Sequence, residues 1–123
     1  FHATLLKKDI DLELAKEVLK NIIKEIQSDV SVDFIQKTVS EYFKVDLESL
    51  KSKIKKREIV IPRQVAMYLA RQMTHASLAD VGRAFGGKDH TTVLHACRQI
   101  AKLRESLPEM NHDVNFLLQV LRS

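Results

Sequence analysis

Cysteine is nearly absent from this chain, as are the other residues that staple or interrupt a fold. The 123 residues hold one Cys, two Pro, three Gly and no Trp. A single thiol, Cys97, excludes an intramolecular disulfide and any CxxC zinc pattern, and it fits a reducing intracellular setting. No apolar run approaches the ~18–20 residues of a membrane span, and the N-terminus lacks the arrangement of a signal peptide, so a soluble, cytoplasmic protein is expected. With Gly82, Gly86 and Gly87 gathered in one short stretch, the chain reads as helices joined by short turns, without a convincing strand or an internal repeat. The length allows one ordinary domain, or a domain plus a fragment, with a core that needs no disulfides. Phe1 in first place is expected of a piece cut from a longer chain.

What is present in excess is positive charge, and it is unevenly spread. The net charge is +4, yet residues 1–30 carry five Lys against six Asp or Glu, so the remainder carries a net of +5. The imbalance is steepest over residues 51–72, where Lys51, Lys53, Lys55, Lys56, Arg57, Arg63 and Arg71 face Glu58 alone. A local positive field of this kind marks a polyanion-binding surface. A solvated, mobile charge run has the same composition, and charge alone does not separate the two.

The apolar spacing organises the chain into successive helices. From Asp11, Ala15, Val18, Leu19, Ile22 and Ile26 follow the 3.6-residue period of one face, with little nearby to pack against. Residues 1–30 therefore read as the tail of a neighbouring unit. Ser31 caps a second helix bearing Ile35, Val39, Tyr42 and Phe43, and Val45 and Leu50 flank an Asp46 cap at staple positions. Pro62 is expected as the first residue of a fourth helix with Val65, Leu69 and Met73 inward. Ser77 and Asp80 form a near capping box for a helix of barely two turns, and a last helix is expected from about Asn111 to Leu121. His75 and His112 fall on expected turns.

Between these lies the stretch that carries chemistry, "GGKDHTTVLHACRQIAKL", residues 86–103. A short helix, a glycine turn and a longer helix with a polar start describe a helix-turn-helix. On a wheel of the second helix, Val93, Ala96, Cys97, Ile100 and Leu103 share the core side, while Thr91, His95, Arg98 and Lys102 lie within about 60° of one another opposite. A DNA major groove admits one α-helix, whose N-terminal residues reach deepest towards base edges. Lys88, Asp89, His90, Thr91 and Thr92 occupy that end. Thr91 offers a methyl group and a hydroxyl, His90 can donate to a purine or to thymine O4, and Asp89 can accept from a cytosine amino group. His95, Arg98 and Lys102 are better placed for phosphates. Asp89 has a second reading as a plain N-cap.

Other chemistries find little support. "GRAFGGKD", residues 82–89, satisfies the first seven places of a phosphate-binding P-loop. The eighth place, which should be Ser or Thr for magnesium, is Asp89, and a capped helix rather than a strand precedes it. Nucleotide binding is rejected. His90 and His95 stand about 140° apart on a helix and cannot share a metal ion, and Cys97 reads as a small core residue. No carboxylate pair and no Ser, His, Asp set emerges.

The stretch "VGRAFGGKDHTTVLHA", residues 81–96, resembles the signature of the bacterial chromosomal replication initiator family, DnaA, in its C-terminal DNA-binding domain; "IQKTVSEYFKV" and "IPRQVAMYLARQMT" are similar to the same family's segments. The resemblance implies an all-α, multi-helix bundle containing a helix-turn-helix at 45–123, a connector helix at 31–44, and a C-terminal fragment of the AAA+ lid at 1–30. It implies binding to AT-rich DnaA boxes in double-stranded DNA at the replication origin, with Asp89, His90 and Thr91 reading bases in the major groove. Lys55, with Arg57 close by, matches the minor-groove reader, which is usually arginine in the family; Lys88 also stands where arginine is common. Arg63, Gln64, Arg71, Thr74, Lys88, Thr92, His95, Arg98 and Lys102 are the expected holders of the DNA backbone. The resemblance implies no catalysis and no cofactor here, since ATP binding and hydrolysis, with magnesium, belong to the AAA+ core. Acidic phospholipids, through the connector helix, and further initiator copies, through the parent protein, are the other partners implied. A helical protein-interaction or acidic-lipid-binding module with a basic face is the rival reading; it requires an exposed apolar patch beside the charge.

Overall fold

The computed structural model describes residues 30–122, which form six helices with no strand among them. The helix read from Asp11 onward lies outside the described residues. The elements are α1 (Val32–Phe43), α2 (Leu47–Leu50), α3 (Arg57–Met73), α4 (Leu78–Ala84), α5 (His90–Ser106) and α6 (Pro108–Arg122).

The sequence explains most of the boundaries. Ser31 is extended and its hydroxyl accepts the amide of Phe34 at 3.1 Å, which starts α1. The helix ends on Lys44 in the left-handed conformation (φ 57°, ψ 46°), a state that costs a residue with a side chain roughly 1–2 kcal/mol. Asp46 stands at the N-cap of α2 but makes no capping hydrogen bond; buried Leu50 and half-buried Val45 hold the turn at the staple positions instead. The full capping box between Ser77 and Asp80 forms at the start of α4.

Two boundaries differ from the expectation, both at a proline. Pro62 lies inside α3, which begins five residues earlier at Arg57. A proline this near the N-terminus forfeits one backbone bond, to the carbonyl of exposed Glu58, while half-buried Ile61 packs the added turn against the core. α6 starts at Pro108 rather than Asn111, because proline is pre-organised for the first helical position, where no N–H partner is required. His112 therefore sits exposed on α6 and not on a turn, whereas His75 is in the turn before α4.

α3 is the centre of the bundle: it packs against α5 on one side and α1 on the other, and α5 is flanked by α4 and α6. Ile35, Leu50, Val65, Leu69, Phe85, Val93, Ile100 and Val114 are completely buried, one contiguous core drawn from every helix and from the end of α4. Burying such side chains stabilises by roughly 1.5–3 kcal/mol each. Polar ties fix the outer helices. Buried Gln36 donates to the carbonyl of Ala84 at 2.9 Å and joins α1 to α4; Tyr42 donates to Asp113 at 2.6 Å and joins α1 to α6. α1 is thus an integral layer of the bundle. Among the described residues no helix is long and apolar enough to cross a membrane.

Candidate nucleic-acid interface

The site is built on the turn between α4 and α5. Gly86 (φ +87°) and Gly87 (φ +78°) are both left-handed, which reverses the chain within two residues. The amide of Lys88 then donates to the carbonyl of Gly82 at 2.8 Å. Gly82 permits this close approach, since a Cβ there would collide with the Lys88 carbonyl. Buried Val81, Phe85 and Val93 lock the two helices together beneath the turn. The P-loop-like stretch is therefore a helix-turn-helix corner, with its first glycine inside a helix.

α5 presents two faces, as its sequence period requires. Val93, Ala96 and Ile100 are buried, with Cys97 and Leu103 half-buried beside them, and burial pushes the Cys97 thiol up. Thr91, Thr92, His95, Arg98 and Lys102 are all exposed. At the tip, the side chains of His90 and Asp89 are 63% and 66% exposed, so the end of the helix projects from the bundle. Asp89 has the extended backbone of an N-cap, but its carboxylate makes no capping hydrogen bond. It accepts instead from the Thr91 hydroxyl at 2.8 Å and lies 3.1 Å from His90 Nδ1. The Thr91 hydroxyl, with His90 contributing charge, holds the Asp89 carboxyl below the usual carboxylate range. The three groups form one outward-facing cluster of acceptors, donors and a methyl group, in which the Asp89 carboxylate is the ionised member.

The basic loop lies against this corner. Lys88 Nζ donates to the carbonyls of Ser52 and Phe85, each at 2.8 Å. Lys53, Ile54, Lys55 and Lys56 are exposed on the loop and Arg57 is exposed as the first residue of α3, so of the two cations read as groove readers Lys55 stands on the loop that the α4–α5 turn supports and Arg57 at its junction with the helix.

Several cations and hydroxyls read as backbone holders are engaged within the chain. Arg63 is buried, only 6% exposed, and its guanidinium donates to the carbonyls of Leu50 and Ser49, both at 3.0 Å, and to Ser52 Oγ at 3.4 Å. The side chain is a strut beneath the loop rather than part of the surface. Lys88 is half-buried and committed to two carbonyls; burial, with Arg63 and Lys53 adding repulsion, pushes its ammonium down. The Thr74 hydroxyl closes the end of α3, donating to Ala70 at 2.6 Å and accepting from the Ala76 amide at 3.1 Å. Arg71 is exposed and donates to Ala76 at 2.7 Å, and Gln64 is half-buried on α3.

One positioning residue escaped the sequence reading. Arg104 donates to Asn111 at 2.9 Å, Tyr68 at 2.9 Å and Asn115 at 2.7 Å, with its guanidinium 5.8 Å from the Tyr68 ring centre. It fixes the far end of α5 to α3 and α6. Its position four residues after buried Ile100, on the core side of the wheel, was the available signal. Among the described residues no group of three His, Cys, Asp or Glu side chains is placed to hold a metal ion.

Residues 32–100 match the family described as the bacterial DnaA protein helix-turn-helix. The chain belongs to the DnaA family. It is 49% identical over 122 residues to the chromosomal replication initiator protein DnaA of Chromobacterium violaceum, covering 99% of this chain and 26% of that protein. To the DnaA of Laribacter hongkongensis it is 52% identical over 114 residues, covering 93% of this chain and 24% of the relative. The chain thus spans about a quarter of the length of the curated DnaA proteins it matches. It is also similar to a crystal structure of a DNA replication initiation factor, with a TM-score of 0.67 and 30% identity, covering 98% of this chain and 38% of that one.

Proposed function

We propose that this chain recognises DnaA boxes in double-stranded DNA and thereby seats a bacterial replication initiator at its origin. The observation that carries this reading is the projecting tip of α5, where Asp89, His90 and Thr91 face outward while the opposite seam of the same helix is locked in the core. In the major groove the Thr91 methyl group packs on thymine, His90 bonds a base edge, and ionised Asp89 accepts from a cytosine amino group. The Thr91 hydroxyl proton is already committed to Asp89, so the cluster meets the bases pre-arranged. Thr92, His95, Arg98 and Lys102 follow the phosphates, with Arg71 and Gln64 contributing from α3. The basic loop carries Lys55 to the adjacent minor groove, with Arg57 beside it at the start of α3, and Arg63, Lys88 and Thr74 act by holding the frame.

Fluorescence anisotropy with a DnaA-box duplex and a scrambled duplex, over a series of salt concentrations, tests the assignment. His90→Ala or Thr91→Ala costs about 1–3 kcal/mol on the box and little on scrambled DNA. Arg98→Ala or Lys102→Ala weakens both duplexes alike and lowers the salt slope by about 0.9 per phosphate contact. Equal losses on both duplexes for His90→Ala would contradict base reading at the tip of α5.

A further inference from the structure

Lys88 stands one residue before the base-reading cluster, in a position whose charge invites assignment to a phosphate. Its surroundings assign it elsewhere. The ammonium is half-buried between the Ser52 carbonyl, on the basic loop, and the Phe85 carbonyl, at the end of α4. Beside it the Lys51 carbonyl abuts Gly86 so closely that a Cβ at that position would collide with it. From the other side Arg63 holds the carbonyls of Ser49 and Leu50 and the Ser52 hydroxyl. Residues 49–52 are therefore gripped between α3 and the α4–α5 turn, and the exposed run of Lys53 to Arg57 leaves from this anchored point.

We infer that Lys88 is a positioning residue, whose contacts fix the spacing between the basic loop and the tip of α5 so that both engage the duplex in one register. This rests on the DNA-reading function proposed above. Two readers on one rigid frame bind without a further ordering cost, whereas a loop freed from the turn has to be ordered in each encounter. The tip of α5 has its own anchor, the bond from the Lys88 amide to Gly82, which does not depend on the side chain. Loss of the ammonium therefore acts on the loop's reading and spares that of Asp89, His90 and Thr91.

The test uses the whole chain in the anisotropy assay, with the box, its single-base-pair variants and scrambled DNA, and thermal unfolding to establish that each variant is folded. The double variant Lys55→Ala, Arg57→Ala first marks which base pairs the loop reads. Lys88→Met is then expected to bind the intact box about tenfold more weakly. It loses discrimination at the loop's base pairs and keeps it at those read by His90 and Thr91. Its affinity for scrambled DNA stays within about twofold and its salt slope is unchanged, since no phosphate contact is removed. Lys88→Arg restores the loop's discrimination. Lys88→Gln, whose shorter side chain cannot reach both the Ser52 and Phe85 carbonyls, is expected to lose discrimination at the same base pairs, and it serves if Lys88→Met does not fold. A uniform loss on box and scrambled DNA with the salt slope lowered by about 0.9 would make Lys88 a phosphate contact and overturn the inference. Discrimination lost equally at every base pair, or no loss at all, overturns it too. If the unaltered chain fails to prefer the box, the function proposed above fails instead, before any Lys88 variant is compared.

Discussion

Replacing Arg63 by methionine keeps the length of the aliphatic stem and removes only the guanidinium. Two bonds of 3.0 Å to the Leu50 and Ser49 carbonyls disappear, together with a longer one to Ser52 Oγ. A hydrogen bond from a charged donor contributes about 1.5–3 kcal/mol, so two near the lower bound come to about 3 kcal/mol. That figure is already net of desolvation, whose sign shows in the lowering of the Arg63 pKa by burial. Arg63→Met should therefore destabilise the chain by about 3 kcal/mol. For a domain of this size that is a fall in Tm of about 10–20 °C. Thermal and urea unfolding followed by circular dichroism read the effect, with the m-value unchanged because the same surface is exposed on unfolding. Arg63→Lys recovers less than half, since an ammonium lacks the fork that reaches both carbonyls. The reasoning fails if Arg63→Met melts within about 2 °C of the unaltered chain. It fails most clearly if affinity for every DNA sequence then drops equally with the salt slope reduced by about 0.9, the behaviour of a phosphate contact.

Two further outcomes follow from backbone and charge. Lys44→Gly should raise stability by about 0.5–1 kcal/mol, measured as a higher urea midpoint, because glycine occupies the left-handed end of α1 without a steric penalty. The Asp80 carboxyl is held below its ordinary value, first by the Ser77 amide, then by the Ser77 hydroxyl, with Arg83 adding to it. Its folded pKa being lower than its unfolded one, the unfolded chain binds the proton more readily. The stabilisation is therefore complete above the ordinary carboxylate value of about 3.9 and is lost as pH falls through the depressed one. Asp80→Asn should flatten the acid limb of a plot of Tm against pH; an unchanged limb would show that the capping box does not titrate with folding.

The faces of α5 were legible because they depend only on local period: Val93, Ala96 and Ile100 inward, Thr91, His95, Arg98 and Lys102 outward. The Ser77 capping box was legible for the same reason, its partners lying three residues apart. Arg63 and Lys88 were not. Their acceptors include carbonyls 13 and 36 residues away, and a sequence shows a cation's charge without showing which distant backbone group will enclose it. Asp89 carried two readings that the sequence could not separate, because the backbone of a cap and the carboxylate of a base reader occur in the same residue type. Here the extended backbone and the bond to Thr91 supply one half of each. Pro62 misled by type, being tolerated anywhere in a first turn and, as here, slightly beyond it.

The corner between α4 and α5 also limits how this scaffold can be retargeted. At 82 and 86 a methyl group would strike backbone, and at 87 the torsion disfavours every L residue even though the space is open. Lengthening or diversifying those positions would shift the reader before changing what it reads. If 89–91 and the exposed loop read DNA as proposed, a library meant to give the module a new binding sequence has its freedom there, and the glycines must be inherited unchanged.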